Sequence, residues 1–136
     1  MENPLNEEMP VDDGRPVILA IDDAPDILRM VHLVLKDEYK VYTLSEPEKL
    51  EELLKSITPD LFLLDYFMPE MDGFDLMPVI RSFPEHSDTP VMYLTSVISA
   101  DFYSVAMRLG ACDYIMKPID ADRLREKVGS HINDHK

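Results

Sequence analysis

Polar residues that can do chemistry follow short apolar runs at four points in this sequence. Asp22 and Asp23 follow the first run, and Asp65, Thr95 and Lys117 each follow a later one. Three carboxylates meeting at one place would repel one another and raise one another's pKa values unless a cation compensates. The candidate ligands are hard oxygens without a thiolate or a histidine cluster, which favours Mg²⁺ over zinc or copper.

The same residues predict phosphoryl transfer. Magnesium commonly bridges to phosphate oxygens. Lys117 offers a mobile positive charge to a phosphoryl group, and the Thr95 hydroxyl can donate a hydrogen bond to one of its oxygens. A carboxylate can accept the group as a covalent nucleophile. Asp65 ends the most apolar run, where an ionised side chain is costly, so a functional role is favoured there.

Five apolar runs alternate with five helical patterns and would position these residues. The runs occupy 17–21, 39–43, 61–64, 91–94 and 113–116. Apolar residues at helical spacing recur within 27–35, 50–57, 76–83, 102–109 and 124–132. This alternation predicts an α/β fold in which helices cover both faces of a five-stranded parallel sheet. Ligands of such sheets bind outside the carboxyl ends of the strands, where the candidate residues lie. Pro78 predicts a late start or a kink in the third helix.

Composition excludes several classes of protein. The 136 residues carry a net charge of −14, which argues against binding to nucleic acid or an anionic membrane. A hydrophobic fraction of 46% is too high for a mostly disordered chain. The lone Cys112, together with the lack of an apolar leader or span, favours a cytoplasmic protein. Residues 1–15 are acidic and predict a flexible tail before a folded domain over 16–136.

Taken together, the motifs over residues 16–133 resemble the receiver domain of two-component response regulators, of the stand-alone chemotaxis type. They are Asp22-Asp23, Leu63-Leu64-Asp65-Tyr66-Phe67-Met68-Pro69 with Met71-Asp72-Gly73, Thr95-Ser96, and Tyr114 with Lys117-Pro118. The resemblance implies a flavodoxin-like strand order of 2-1-3-4-5. It also implies a signalling module that is not an enzyme beyond its own phosphorylation and dephosphorylation.

The resemblance implies a role for each matching residue. Asp65 would be the phosphoacceptor and a metal ligand. Asp23 would bind Mg²⁺ directly, Asp22 mainly through water, and Phe67 through its backbone carbonyl. The backbone of Phe67 and of Ser96 would contact the phosphoryl group.

A two-state switch is also implied. Lys117 would pair with Asp65 before phosphorylation and with the phosphoryl group after it. Thr95 would move towards that group, and Tyr114 would swing into the vacated space. The Lys117–Pro118 peptide bond would be cis.

Some positions depart from the family pattern. Ala24 stands where many members have an acid, which would alter metal affinity. Phe67 and Val97 stand near the path of the attacking water, and two apolar side chains there cannot orient water by hydrogen bonding. We therefore hypothesise slow self-dephosphorylation.

The partners expected from the resemblance are a sensor histidine kinase or a histidine phosphotransfer protein, and an unknown downstream protein. Fewer than twenty residues follow Pro118, so the output is expected from that partner. Its contact surface would contain the fourth helix, the fifth strand and the fifth helix. A phosphate sink or shuttle in a phosphorelay, a phosphorylation-independent interaction module, and a homodimer formed on phosphorylation stay open, as does a fragment of a larger protein.

Other protein classes fit less well. A haloacid-dehalogenase-like phosphatase needs a second aspartate two residues after the nucleophile, where this chain has Phe67. A flavin-binding module needs a Ser/Thr/Gly-rich first loop, which is acidic here.

Structural roles also compete with the functional ones. The Asp22-Asp23 pair could begin a helix, and Thr95 or Ser96 could cap one. His32 and His86 are predicted to be helix-surface or loop residues, and Cys112 a small core residue next to a strand. His131 and His135 have a spacing that can bind metal, but the absence of a further ligand argues against a site.

Overall fold

Strands and helices alternate along the part of the chain that the computed structural model describes, residues 14–69, 71–96 and 99–135. The strands are β1 Val17–Ile21, β2 Lys40–Leu44, β3 Leu61–Asp65, β4 Val91–Thr95 and β5 Asp113–Met116. The α-helices are α1 Pro25–Leu35, α2 Leu50–Leu53, α3 Gly73–Arg81, α4 Ala100–Arg108 and α5 Ala121–His135. Short 3₁₀ turns at Pro47–Lys49 and Pro84–His86 precede α2 and β4. The predicted tail lies almost wholly outside the described residues, so its boundary stays a prediction.

All neighbouring strands are parallel, in the order β2-β1-β3-β4-β5. This confirms the predicted fold class and strand order. The chain moves outward from β1 to β2 and then crosses back to β3, so the order reverses between β1 and β3. Ile21 pairs with Leu64 at that point, which brings the residues that follow each of them, Asp22 and Asp65, to the same edge of the sheet.

Both faces of the sheet are buried because alternate strand residues point to opposite sides. On one face Leu19, Phe62 and Tyr93 pack with residues of α2, α3 and α4. On the other, Ile18, Leu63 and residues of α1 and α5 form a second core. Burial on both sides explains why the strands read as continuous apolar runs.

Some element bounds differ from the sequence prediction. β3 and β4 each include one further residue, because Asp65 pairs with Leu94 and Thr95 with Met116. Of the two alternatives predicted from Pro78, the late start is wrong, because α3 begins at Gly73 and contains Pro78, and the kink stays a prediction. Oδ1 of Asp72 accepts a hydrogen bond from the Asp75 N–H at 3.1 Å and caps this helix before the proline is reached.

His86 lies in the Pro84–His86 turn, as predicted for a loop residue, but it is not at the surface, whereas His32 is exposed on α1 as expected. His86 is fully buried, and its ring stands edge-on to Phe62 at 5.1 Å between centroids. Its Nδ1 lies 2.8 Å from the Thr89 hydroxyl oxygen, a pairing that local sequence pattern does not reveal. Among the helices of the described residues, none has the length and apolar character needed to cross a bilayer.

Candidate functional site

Three aspartates meet at the carboxyl edge of the sheet. Asp22 and Asp23 follow β1, and Asp65 ends the neighbouring strand β3. One carboxylate oxygen of each lies within 4.8 Å of the others. Asp22 and Asp65 are buried, while Asp23 is exposed at the opening. The arrangement gathers negative charge in a place that is only partly open to solvent.

Lys117 provides the opposing charge. Its Nζ lies 3.1 Å from Oδ1 of Asp65 and 2.9 Å from Oδ2 of Asp22. The backbone N–H of Lys117 donates to the Thr95 carbonyl at 2.8 Å, and the following bond to Pro118 is cis, as predicted. Burial would lower the pKa of Lys117, but its contacts with Asp22 and Asp65 outweigh burial and raise it. The lysine is therefore held charged beside both carboxylates.

Asp65 titrates in an unusual range. Burial and then repulsion from Asp22 raise the pKa of Asp65 to about 6, against the opposing influence of Lys117 and of the Phe67 N–H. That N–H donates to Oδ1 of Asp65 at 3.3 Å. Lys117 and the Phe67 N–H therefore offset only part of the cost of ionising the Asp65 carboxyl group.

The donor set fits Mg²⁺. Oδ2 of Asp22 is buried and accepts no well-directed hydrogen bond from the described residues, despite its ion-pair contact with Lys117. Such an oxygen, close to two further carboxylates, is suited to a hard cation or to the water that the cation carries. Asp22, Asp23 and Asp65 would hold the ion together with a backbone carbonyl.

Asp22 also has a structural role. Its Oδ1 accepts a hydrogen bond from the Ala24 N–H at 2.9 Å, which starts the turn into α1. The helix-start interpretation and the metal interpretation therefore use different oxygens of the same carboxylate.

Thr95 and Ser96 do not cap the next helix. The cap of α4 is Ser99, whose Oγ accepts a hydrogen bond from the Phe102 N–H at 3.0 Å. Thr95 is buried at the end of β4, one strand away from Asp65, and Ser96 is exposed. Val97 lies outside the described residues. The capping alternative is therefore wrong, and Thr95 is at the sheet edge where a phosphoryl group on Asp65 would lie.

Tyr114 is half-buried on the edge strand β5, with its ring 6.1 Å from that of Tyr103. Lys127 of α5 lies over the ring, with Nζ 4.8 Å from the centroid, and donates to the Tyr114 carbonyl at 2.7 Å. Asp113 accepts from Lys127 at 2.9 Å and lies 3.0 Å from Nε2 of His131. Sequence analysis missed this cluster, although the i, i+4 spacing of Lys127 and His131 puts both on one helix face.

The structure brings the predicted residues Asp22, Asp23, Asp65 and Lys117 into one cluster. Phe67 stands at its rim, with 75% of the residue's surface exposed. Cys112 directly precedes β5 as expected, but it is only partly buried and packs against the core instead of belonging to it. Burial raises its pKa to about 11, so the thiol is unreactive at neutral pH.

Comparison with known proteins defines the class of this protein. The family model for the response regulator receiver domain matches residues 18–129. The chain belongs to the response regulator receiver domain family. Members of this family are signalling modules that accept a phosphoryl group and typically bind Mg²⁺ in an acidic pocket.

Two curated relatives are considerably longer than this chain. Protein RcaC of Microchaete diplosiphon is 32% identical over 112 residues, which cover 82% of this chain and 17% of RcaC. A probable cyclic di-GMP phosphodiesterase of Vibrio cholerae is 31% identical over 117 residues, which cover 86% of this chain and 26% of that protein. The chain therefore spans about a quarter or less of these relatives.

A solved structure of similar size also matches. The chemotaxis protein CheY4 of Vibrio cholerae superposes with a TM-score of 0.82 at 25% sequence identity, covering 86% of this chain and 98% of the CheY4 chain. The match places the fold described above among receiver domains.

Proposed function

We propose that this chain accepts a phosphoryl group on Asp65 from the phosphohistidine of a sensor histidine kinase or a histidine phosphotransfer protein. The observation that carries the proposal is the contact of Lys117 with both Asp65 and Asp22, at an edge where a third carboxylate completes a Mg²⁺-binding set. An oxygen of Asp65 attacks phosphorus, a P–O bond forms, and the P–N bond to the donor imidazole breaks. The product is an acyl phosphate on Asp65.

Each residue of the site has a separate role in the transfer. Asp22, Asp23, Asp65 and the Phe67 carbonyl would hold Mg²⁺, which when bound neutralises charge on the phosphoryl oxygens. Lys117 pairs with Asp65 before transfer and with the phosphoryl group afterwards. The backbone N–H groups of Phe67 and Ser96 donate to phosphoryl oxygens.

We also propose that phosphorylation is read out through Thr95 and Tyr114. Thr95 moves towards the phosphoryl group, and the Tyr114 ring turns inward, which changes the surface of α4, β5 and α5. Tyr103, Met107 and Met116 expose apolar area on this surface. A downstream protein that recognises one form receives the signal.

The functional unit proposed is a single receiver domain over residues 16–136 that acts in the cytoplasm and signals through another protein. The lone Cys112 is consistent with a reducing compartment. The strong negative charge favours a protein partner over nucleic acid or a membrane.

Intact-mass measurement after incubation with acetyl phosphate tests the phosphorylation. The wild type should gain the mass of one phosphoryl group when Mg²⁺ is present and lose that gain in EDTA. Asp65→Asn should gain nothing, while Asp75→Asn, which alters an exposed aspartate of α3, should behave as wild type. A phosphoryl group on Asp65→Asn would contradict the assignment of Asp65.

A second arm supplies a phosphorylated histidine phosphotransfer protein as the donor. Transfer to the wild type but not to Asp65→Asn is expected. Failure with both donors in the presence of Mg²⁺ would leave a phosphorylation-independent interaction module.

A further inference from the structure

Tyr93 carries a hydroxyl in the middle of the apolar strand β4, where it is completely buried. The hydroxyl donates a hydrogen bond to the Gly73 carbonyl at 3.1 Å. Its ring stands nearly perpendicular to the rings of Phe74 and Phe102. A phenylalanine could make the same ring contacts. Burying a hydroxyl without a hydrogen-bond partner is costly, so the bond to the Gly73 carbonyl determines where the Tyr93 hydroxyl lies.

That bond closes a segment that begins beside Asp65. We call the described residues 66–69 and 71–73 the phosphoacceptor loop. At its start, the Tyr66 N–H donates to the Leu94 carbonyl of β4 at 2.9 Å. At its end, Gly73 is held to the same strand by Tyr93, and the Gly73 N–H donates to the Tyr66 carbonyl at 2.8 Å. The start of the loop is therefore attached to β4 through the backbone, and its end is attached to the start by the Gly73–Tyr66 bond and directly to β4 by the Tyr93 hydroxyl.

The attachment lies close to the phosphoacceptor backbone. A Cβ atom added at Gly73 would lie 2.6 Å from the carbonyl oxygen of Asp65 and 2.7 Å from Cε1 of Tyr93. Gly73, the Asp65 backbone and the Tyr93 ring are thus packed together without spare room. Gly73 thus lies against the backbone of Asp65, the residue whose carboxylate accepts the hydrogen bond from the Phe67 N–H.

We propose that Tyr93 is a positioning residue for the phosphorylation site, because its hydroxyl holds the phosphoacceptor loop in the geometry that presents the Phe67 backbone to Mg²⁺ and to Asp65. This inference rests on the function proposed above. Tyr93 touches neither the metal nor the phosphoryl group; it acts through Gly73.

The variant Tyr93→Phe tests the proposal, because it removes the hydroxyl and keeps the ring. We expect Mg²⁺ affinity, measured by isothermal titration calorimetry, to fall about fivefold, the factor that corresponds to the net contribution of one hydrogen bond. The initial rate of phosphorylation by acetyl phosphate, followed by intact mass at subsaturating Mg²⁺, should fall by a similar factor. Hydrogen exchange of the Gly73 amide should be faster.

The matched control is Tyr39→Phe, which removes a tyrosine hydroxyl from the core on the other face of the sheet. Urea unfolding of both variants shows whether each remains folded under the assay conditions. A structural role alone would lower the midpoint of Tyr93→Phe without changing Mg²⁺ affinity or the phosphorylation rate, and that result would overturn the proposal. Equal losses in the two variants would overturn it as well.

Failure of the inference and failure of the proposed function are distinguishable. A wild type that takes no phosphoryl group refutes the function, whereas an active wild type with an equally active Tyr93→Phe refutes only the role of Tyr93. The amide exchange at Gly73 requires neither phosphoryl transfer nor metal. Unchanged exchange in Tyr93→Phe would refute the attachment of the loop under any outcome for the wild type.

Discussion

At the scale of single residues, Phe67 combines a backbone that contacts Asp65 with a ring that is mostly exposed. The ring cannot hydrogen-bond to a water that attacks the phosphoryl group, so we expect slow self-dephosphorylation. Phe67→Asn should shorten the half-life of the phosphorylated protein about fivefold, since one hydrogen bond to the attacking water is worth about 1 kcal/mol. The decay of the intact-mass increment after removal of acetyl phosphate measures this half-life.

The same experiment on Phe67→Leu provides the matched control, because leucine is also apolar. Its half-life should stay near that of the wild type. An equal acceleration in both variants would show that loss of the ring, rather than gain of a polar group, controls hydrolysis.

His86 predicts a pH dependence of stability. Burial lowers the pKa of His86 from its usual 6.5, and the nearby charges of Glu85, Arg81 and Asp60 act in both directions. A depressed folded-state pKa means that protons bind the unfolded chain more readily. The contribution of His86 to stability is therefore complete above about pH 6.5 and is lost as the pH falls through the folded-state pKa. We therefore expect the free energy of unfolding to decrease as the pH falls from 7.5 to 5.5.

Urea unfolding at several pH values, compared between wild type and His86→Phe, isolates this contribution. Phenylalanine keeps a ring against Phe62 but cannot bind a proton, so its stability should change less over this range. His32→Gln, at an exposed position, should follow the wild type. Parallel curves for all three proteins would contradict the assignment to His86.

At the scale of secondary-structure elements, Gly73 determines how closely α3 approaches β3 and β4. The added Cβ of Gly73→Ala would meet the Asp65 carbonyl and the Tyr93 ring at less than 3 Å, so α3 must shift. We expect destabilisation of about 2 kcal/mol, within the usual range for overpacking. Chemical denaturation gives the free energy of unfolding.

Gly129→Ala makes the same substitution in α5 and should have the opposite effect. Its Cβ would meet the Tyr39 hydroxyl at 3.8 Å, an ordinary contact. Alanine should stabilise this helix by about 0.5–1 kcal/mol through its higher helix propensity. If Gly73→Ala were as stable as wild type, the close packing at the phosphoacceptor loop would be refuted.

The strands are predicted well from the sequence, because one pattern, the short apolar run, determines them. Short apolar runs predict all five strands to within one residue. The pattern is clearest for β1, β3 and β4, because burial on both faces requires apolar side chains almost throughout. Tertiary contacts decide the remaining cases. α3 starts upstream of Pro78 because Asp72 caps it there, and His86 is buried because Thr89 and Phe62 surround it.

At the scale of the whole molecule, the candidate site exists only when the sheet is assembled. Its carboxylates come from the ends of β1 and β3, and Lys117 follows β5, so residues far apart in sequence must meet at one edge. The general rule for parallel sheets predicts this meeting from sequence. The rule does not predict which atoms touch, and therefore the contact of Lys117 with Asp22 and the attachment of Gly73 by Tyr93 required the structure.

Because the site forms only when distant strands assemble, Mg²⁺ binding is coupled to folding. An ion that binds the folded chain and not the unfolded one stabilises the fold by an amount that grows with its concentration. At free Mg²⁺ of about ten times the dissociation constant, the gain should be about 1.4 kcal/mol. We expect urea unfolding in MgCl₂ to show this gain over KCl of equal ionic strength, and EDTA to abolish it.

The variant Asp23→Asn tests whether the stabilisation by Mg²⁺ comes from binding at the sheet edge. Asp23 is exposed, so its substitution should leave the folded state intact while removing the carboxylate expected to bind Mg²⁺ directly. Most of the stabilisation by Mg²⁺ should disappear in this variant and persist in Asp75→Asn, which lowers the negative charge of the protein equally. If Mg²⁺ stabilised both variants to the same extent, the effect would reflect general screening of the charge of −14 rather than a site at the sheet edge.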